Sequence, residues 1–412
     1  MNLKNKKVAI LGHGIEGQDT EKFLKSQGAK LTVLDQKFDE NYLKNLDRFN
    51  LIIRSPGVYR YLPEIMEAEK KGVEISSAIK LFFDVCPAKI IGVTGTKGKG
   101  TTASLIYEIL KKAGKDVSLA GNIGKPYLEL LGKLNNESIV VLELSSFQLI
   151  DLTKSPHIAA ILNVTEDHLD WHKDVKEYID AKKNIAKYQS VSDWAVINEE
   201  YETPKSFAKE TKAKVVYFSK KSLDAKYREG LLLRGEHNLE NVAAAISVAQ
   251  ILEVNDETVI SVLQSFKGLE HRLELVDTIN GVTFYNDSFA TGPQPTIAAI
   301  KSFTEPETVI LGGSDKGLDY RELREEIEKK ENIKNLILIG QIGEKIGGGI
   351  KGKNIVNLGR TSMNRIIEKA YEITPKGGVV ILSPAAASFD MFENYKDRGN
   401  EFKKAVKNLR ST

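Results

Sequence analysis

Short apolar runs alternate along the chain with turns rich in glycine and polar residues, and with longer stretches whose apolar positions recur at helical spacing. Runs at 8–11, 31–35, 51–53, 90–94, 138–142, 157–164, 191–198, 283–288, 308–311, 335–339 and 378–382 read as strands, most of them apolar enough to be buried on both faces. Helical patterns fall between them. One such pattern places Leu105, Ile106, Ile109, Leu110 and Ala113 on one face and closes on Lys111, Lys112 and Gly114. Others end near Gln27, begin near Val175, span 242–252 and start at Pro295. This alternation predicts an α/β protein with mostly parallel sheets, in which loops at the carboxyl ends of the strands carry the chemistry. A short glycine turn at 347–349 is read as a flexible connection without function.

Three of those strand-end loops have recognisable form. The run at 8–11 leads into Gly12-His13-Gly14-Ile15-Glu16-Gly17, a helix and a second strand ending in Asp35. That is the layout of a βαβ dinucleotide fingerprint, which by itself admits NAD or any other pyrophosphate. The third strand ends in Arg54-Ser55-Pro56-Gly57, at the same sheet edge. Near Cys86-Pro87-Ala88 the pattern breaks, and the strand from Ile90 then enters Gly95-Thr96-Lys97-Gly98-Lys99-Gly100-Thr101-Thr102. Glycines that let backbone N–H groups close on a phosphate, a helix N-terminus and Lys99 make this a phosphate-binding loop, although Gly100 separates the lysine from the hydroxyls of Thr101 and Thr102.

Beyond it, Glu143 ends a buried strand where a nucleotide's Mg²⁺ is usually held, or else faces solvent there. The cluster Thr165-Glu166-Asp167-His168-Leu169-Asp170-Trp171-His172 is a possible cation-ligand set, with His168 equally a structural histidine. Lys182 and Lys183 read as solvated lysines on a helix. Asn238 and Asn241, three apart at a helix start, suit base or phosphate contacts, or a cap in the case of Asn238. Arg272 suits a phosphate or a salt bridge.

Length and breaks together give three domains: 1–88, Rossmann-like; 89–272, a central P-loop ATPase-type domain; and 273–412, again Rossmann-like. Charge narrows the function. With 59 basic and 56 acidic side chains, a net +3, there is no footprint for nucleic acid. A single cysteine, Cys86, excludes an internal disulfide framework and suits a reducing cytosol, and no apolar run is long enough for a membrane helix. A soluble cytoplasmic protein is expected.

The motifs together resemble those of the Mur ligases and folylpolyglutamate synthases, three-domain ATP-dependent carboxylate–amine ligases. The resemblance runs the length of the chain. It is carried by Gly121-Asn122-Ile123-Gly124, Glu143-Leu144-Ser145-Ser146-Phe147-Gln148-Leu149, Asn163-Val164-Thr165-Glu166-Asp167-His168, His237-Asn238 with Asn241, His271-Arg272, Asn286-Asp287-Ser288, and Ser383-Pro384-Ala385-Ala386-Ala387-Ser388-Phe389-Asp390. The second and last of these are similar to the D-glutamate-adding branch of the Mur ligases. The resemblance implies ATP-dependent addition of glutamate, the D isomer favoured, to UDP-N-acetylmuramoyl-L-alanine in peptidoglycan precursor synthesis, by a monomer.

It also implies roles. Ile15, Asp35, Ser55, Pro56 and Gly57 would face the UDP, and Asn122, Ser145 and His168 the muramoyl part. Residues 95–102, Asn238, Asn241, Arg272 and Asp287 would contact ATP. Thr101, Glu143, His168 and Lys182, the last N-carbamylated to N6-carboxylysine, would hold two Mg²⁺ ions, and Lys316, Ser388 and Tyr395 the glutamate. Lys99, Glu143, His168, Lys182 and Arg272 would be catalytic, and closure of the third domain would exclude water from an acyl phosphate. Two departures stand out. The order Lys97-Gly98-Lys99-Gly100-Thr101 is nearer the folylpolyglutamate synthase loop, and Phe289 occupies a position where the D-glutamate branch commonly has lysine, which keeps L-glutamate open. A folate-type ligase, an NAD-dependent oxidoreductase and a non-enzymatic nucleotide-binding regulator are the other readings; the joint presence of Lys99, Glu143, His168 and Lys182 speaks against the last.

Overall fold

A computed structural model describes Leu3 and residues 6–411; positions 1, 2, 4, 5 and 412, at the outer ends of the first and third expected domains, lie outside the described residues. The chain forms two compact units, Met1–Ala225 with Leu239–Val262, and Lys226–Asn238 with Leu263–Thr412. The first unit holds two sheets. One contains β1 (Lys7–Leu11), β2 (Lys30–Leu34), β3 (Leu51–Arg54) and β4 (Glu74–Ser77), in the order β2-β1-β3-β4 and parallel throughout. The other contains β5 (Lys89–Thr94), β6 (Val117–Gly121), β7 (Ile139–Glu143), β8 (Ile158–Ile161), β9 (Trp194–Asn198) and β10 (Lys214–Phe218), ordered β10-β9-β8-β5-β7-β6, also parallel. The second unit holds β11 (Glu274–Ile279), β12 (Val282–Asn286), β13 (Glu307–Gly312), β14 (Ile333–Ile339), β15 (Asn354–Gly359) and β16 (Val379–Leu382). Their order is β11-β12-β16-β13-β14-β15, with β11 antiparallel to β12 and the remainder parallel.

Central strands such as β7, β8, β13 and β16 are buried along their whole length because helices cover both faces. In β1 the side chains alternate: Val8 and Ile10 join one core, Ala9 and Leu11 another. The core on the Val8 side continues without a break through Leu24 and Phe82 into Val140, Leu142, Leu144 and Ile185. The sheets of the first unit thus share one hydrophobic core. In the second unit, separate cores lie on either side of the sheet, one built on Phe284, Ile310 and Phe402, the other on Val309, Leu323 and Leu338.

Several elements differ from the pattern read in the sequence. The run at 191–198 begins its strand only at Trp194, because Ser190 N donates to Asp193 Oδ2 at 2.7 Å and closes a turn first. Of 157–164, only Ile158–Ile161 is strand. Gly347 is not part of a loose turn: it ends the helix Gly343–Gly347, and an added Cβ would sit 2.3 Å from Leu338 Cδ2. The stretches 226–238 and 263–272 belong to the same compact unit as the third sheet.

Between the first two sheets the shared core carries a buried ion pair. Arg54, at the end of β3, is fully buried; it pairs with Asp151 and donates to Phe147 O at 2.7 Å and Ser55 O at 3.1 Å. Asp151 also receives Arg60 at 3.2 Å. Removing one member leaves a desolvated charge, so Asp151→Ala is expected to cost about 3–5 kcal/mol in urea unfolding, and Asp151→Asn, which keeps an acceptor oxygen, clearly less.

Candidate active site

The phosphate loop is built by the end of β5 and the helix Lys99–Lys112, which starts from Gly98 in the left-handed region at φ 87. Only glycine fits there, since a Cβ would lie 2.1 Å from Asn241 Oδ1. The loop is tied to the strand-end segment after β8: Thr96 N donates to Asn163 O at 2.6 Å, Lys97 N to Asn163 Oδ1 at 2.9 Å, and Thr165 N to Thr96 Oγ1 at 2.9 Å. Thr96 Oγ1 also meets Tyr178 Oη at 2.8 Å. Thr102 Oγ1 donates to Asn241 Oδ1 at 3.2 Å, so Asn241 stands at the loop itself. The neighbouring hydroxyl, Thr101, is partly exposed on the same first helical turn.

Two lysines converge on one carbonyl. Lys99 Nζ donates to Gly95 O and Thr96 O, both at 3.0 Å, and Lys182 Nζ donates to Gly95 O at 2.8 Å and Thr94 Oγ1 at 3.4 Å. Lys182 is 1% exposed, so it is not the solvated lysine its helix position suggested; Lys183, one residue on, does reach acids at the surface. Burial, and then the nearby Lys99 cation, hold the Lys182 amine well below the ordinary lysine range, against the pull of Asp167 and Glu143. Glu143 is 8% exposed, which removes the solvent-facing reading. The β5–β7–β6 ladder pairs it with Val93 and Gly121, and Asn122 N donates to its carbonyl at 3.2 Å.

The 165–172 cluster does not close into a ligand set of its own. His168, held at φ 53, has a half-exposed ring 4.7 Å from Phe147, with Asp167 Oδ2 3.6 Å from Nε2. His172 is buried between Ser146 Oγ at 2.8 Å and Glu177 Oε1 at 3.1 Å, and burial holds its imidazole below the usual range. Among the described residues no three His, Cys, Asp or Glu side chains gather as a metal cluster. Glu143 and a carboxylated Lys182 would supply the hard oxygen donors that Mg²⁺ takes, Thr101 a hydroxyl and His168 a nitrogen; as a plain amine Lys182 does not fit that role.

A cleft of about 510 Å³ opens at the carboxyl edge of the first sheet. It is lined by Ile15, Asp35, Ser55, Pro56, Gly57 and Asn122, among others; Ser145 and His168 are not in its lining. Ile15 stands 77% exposed on its rim. The Asp35 carboxylate accepts Lys37 N at 2.9 Å and His13 N at 2.6 Å, which lower its pKa and commit it to shaping the loop. Glu16 closes the floor. Burial raises its carboxyl above the usual range, although Tyr127 Oη donates to it at 2.5 Å and Gln148 Nε2 at 2.6 Å. Gln148 Oε1 in turn accepts Ser145 N at 3.0 Å, so a hydrogen-bonded chain runs from the cleft to the residue after Leu144.

In the second unit, the loops after β12, β13 and β16 lie on one sheet edge. Gly312 N donates to Pro384 O and Ser314 N to Ala387 O, both at 2.8 Å, and Asp390 accepts Ser314 Oγ at 3.2 Å. Lys316 is exposed on the loop after β13, Ser388 is buried in the loop after β16, and Tyr395 opens the helix Tyr395–Asn408. Asn238 Nδ2 donates to Arg234 O at 2.6 Å. The motif reading missed Arg398. Fully buried, it donates to Ser288 Oγ and Ser288 O at 2.9 Å and to Ala386 O at 3.1 Å, tying the 286–289 loop to the 383–390 loop; burial lowers its pKa to about 10. Its sequence signal is weak, one arginine in a charged helix.

Known families match this arrangement. Residues 93–249 match the Mur ligase middle domain and 271–386 the Mur ligase glutamate ligase domain. The chain is 41% identical to the UDP-N-acetylmuramoylalanine--D-glutamate ligase of Acetivibrio thermocellus, over 99% of this chain and 97% of that one. It is 38% identical to the protein of that name from Clostridioides difficile, over the full length of both. Among solved structures, the UDP-N-acetylmuramate-alanine ligase MurC of Thermotoga maritima shares the fold at TM-score 0.58, 17% identity and coverage of 99% and 100%. The MurF ligase of the same organism in complex with ADP does so at TM-score 0.58, 20% identity and coverage of 99% and 96%. The chain belongs to the Mur ligase family, in the branch of the UDP-N-acetylmuramoylalanine--D-glutamate ligases.

Asp287 generates a pH prediction. Burial pushes its carboxyl up to about 7, while Ser383 Oγ at 2.7 Å and Leu273 N at 3.1 Å donate to it. A folded-state pKa above the ordinary carboxylate value stabilises the fold at acid pH and loses that contribution as pH rises through about 7. In Asp287→Asn the amide oxygen can keep Leu273 N and the Ser383 hydroxyl can turn to Thr296 Oγ1, 3.1 Å away. The parent should therefore lose stability relative to Asp287→Asn between about pH 4 and 7 in denaturant titrations; parallel curves would contradict this.

Proposed function

We propose that this chain joins D-glutamate to UDP-N-acetylmuramoyl-L-alanine with cleavage of ATP to ADP and phosphate, a step of peptidoglycan precursor synthesis. The observation that carries this reading is the pair of lysines on the Gly95 carbonyl, one of them buried beside the phosphate loop. The near-complete coverage of relatives named as D-glutamate ligases supports the D isomer over the L isomer and the muramoyl peptide over a folate. Division into domains at 1–88, 89–272 and 273–412, a monomeric state and a cytoplasmic location belong to the same reading; among the described residues no helix is long and apolar enough to cross a membrane.

The mechanism follows from charge. A carboxylate approaching the γ-phosphate of ATP brings two anions together, and Lys99 and Arg272 are the cations assigned to offset them. Backbone N–H groups of residues 95–102 orient the phosphates at a helix N-terminus, where the partial charge is positive. The carboxylate oxygen takes the γ-phosphoryl group as ADP leaves, and the amine of glutamate then attacks the acyl phosphate so formed; the C–N bond forms, phosphate leaves, and the amine's proton passes to solvent. Lys316, Ser388 and Tyr395 are assigned to hold that glutamate, and Asn238, Asn241 and Asp287 the nucleotide. Two Mg²⁺ ions, when bound, would supply further positive charge at the phosphates, held by Thr101, Glu143, His168 and carboxylated Lys182.

Carboxylation suits Lys182 chemically. A neutral amine is the form that adds CO₂, and burial next to Lys99 favours the neutral form. The N–C bond forms and one N–H proton is released, leaving an anionic oxygen donor in place of the neutral amine.

Phosphate release in mixtures of protein, ATP, Mg²⁺, UDP-MurNAc-L-Ala and either glutamate isomer tests the reaction; release with D-glutamate is expected. Release only with a folate and L-glutamate would overturn the assignment. Lys182→Ala should lower turnover by about a hundredfold or more, with partial recovery on adding acetate or formate. The parent, and not the variant, should show a carbamate resonance after incubation with isotope-labelled bicarbonate. Full activity of Lys182→Ala would remove the lysine from the site.

A further inference from the structure

The segment joining Glu270 to β11 carries backbone strain on both sides of Arg272. His271 sits at φ 65 and Leu273 at φ 43, left-handed conformations that strain a residue bearing a side chain. Neighbours pin both. The His271 ring meets Asn286 Nδ2 at 2.9 Å and fills the space over Gly399, where a Cβ would lie 2.2 Å from its Nδ1. His271 N donates to Glu274 Oε2 at 2.9 Å, Phe289 N to His271 O at 3.0 Å, and Leu273 N to Asp287 Oδ1 at 3.1 Å.

The strained backbone delivers Arg272 onto an aromatic face. Its guanidinium carbon is 3.9 Å from the centroid of Phe289, the shortest cation–ring distance among the described residues. Phe289 is 38% exposed, and Tyr395 braces it edge-on at 5.0 Å. Among the described residues no carboxylate forms an ion pair with Arg272. A guanidinium stacked through its face keeps all five N–H donors free, because they lie in its plane. Stacking removes rotamer freedom before a ligand arrives, which lowers the ordering cost of binding.

We propose that Phe289 is a positioning residue for Arg272: its ring presents the guanidinium edge, already oriented, to the phosphoryl oxygens of the nucleotide. This rests on the assignment of Arg272 to ATP made above. Phe289 itself touches no substrate in this role and acts through the arginine.

The test is a set of ATP affinities by equilibrium titration, with kcat and KM for each substrate, in Phe289→Leu, Phe289→Tyr and the same changes on an Arg272→Lys background. Phe289→Leu keeps apolar bulk and removes the π face; it should weaken ATP binding and kcat/KM for ATP about two- to fivefold, leaving KM for D-glutamate and the muramoyl substrate unchanged. Phe289→Tyr restores the parent values. On the Arg272→Lys background Phe289→Leu should have no further effect, the signature of coupling. An unchanged Phe289→Leu, the same loss with and without Arg272, a Tyr variant as weak as Leu, or a parent that binds no ATP each overturns the proposal. A parent that binds ATP but releases no phosphate from the muramoyl substrate would sink the ligase reading, while the affinity series would still decide the role of Phe289.

Discussion

An amine with no water around it must lose its proton, find an anion or change chemically, and the region around the phosphate loop is organised by that constraint on Lys182. The helix Val175–Lys187 faces it inward, Gly95 O and Thr94 Oγ1 take its hydrogen bonds, and Lys99 shares the same carbonyl. Two cations at one oxygen would repel each other if both stayed charged. Burial, with Lys99 beside it, pushes the Lys182 amine well below the ordinary lysine range, toward the neutral form, while Lys99 stands on the helix N-terminus. Tyr178, one turn earlier on the same helix, is fixed by Thr96 and presents its ring to the Lys182 amine at 4.8 Å. The loop, its lysine and the buried helix therefore specify one another.

The second unit shows a different use of cost. Among the described residues no carboxylate is in hydrogen-bond contact with the buried Arg398; its partners are the Ser288 hydroxyl and three carbonyls in the loops it joins. Such a residue fixes loop shape where a hydrophobic replacement would fill volume without specifying it. The left-handed His271 and Leu273 are held by those same loops. Rigidity at one sheet edge here comes from buried polar groups hydrogen-bonded to one another, and the hydrophobic cores on either side of the sheet supply the stability to carry the strain.

Legibility from sequence followed burial. Mostly apolar strands buried along their whole length, such as β7, β8, β13 and β16, stand out as runs; β4, β6 and β15, each at the edge of its sheet, lack such a run and are invisible to it. The glycine and lysine of the phosphate loop were plain because the ligand's chemistry restricts the residue types. Periodicity could not separate Lys182 from Lys183, since adjacent helix positions differ in burial only once the partner strand is known. Arg54 and Arg398 were equally hidden: an arginine's partners at 93 to 110 residues' separation leave no local mark. The Tyr127–Glu16–Gln148 contacts span more than a hundred residues and were unreadable for the same reason.

Those contacts, with the undivided core that joins the first two sheets, have a thermodynamic consequence. Elements that share buried side chains do not open independently, so a ligand that occupies the cleft beside Glu16 stabilises the structure as far as Gln148 and Ser145 by mass action, without any movement being transmitted. Occupancy at one sheet edge is then a protection against fraying at the other. The polypeptide around the phosphate loop is most resistant to local unfolding, and to a protease, when that cleft is filled.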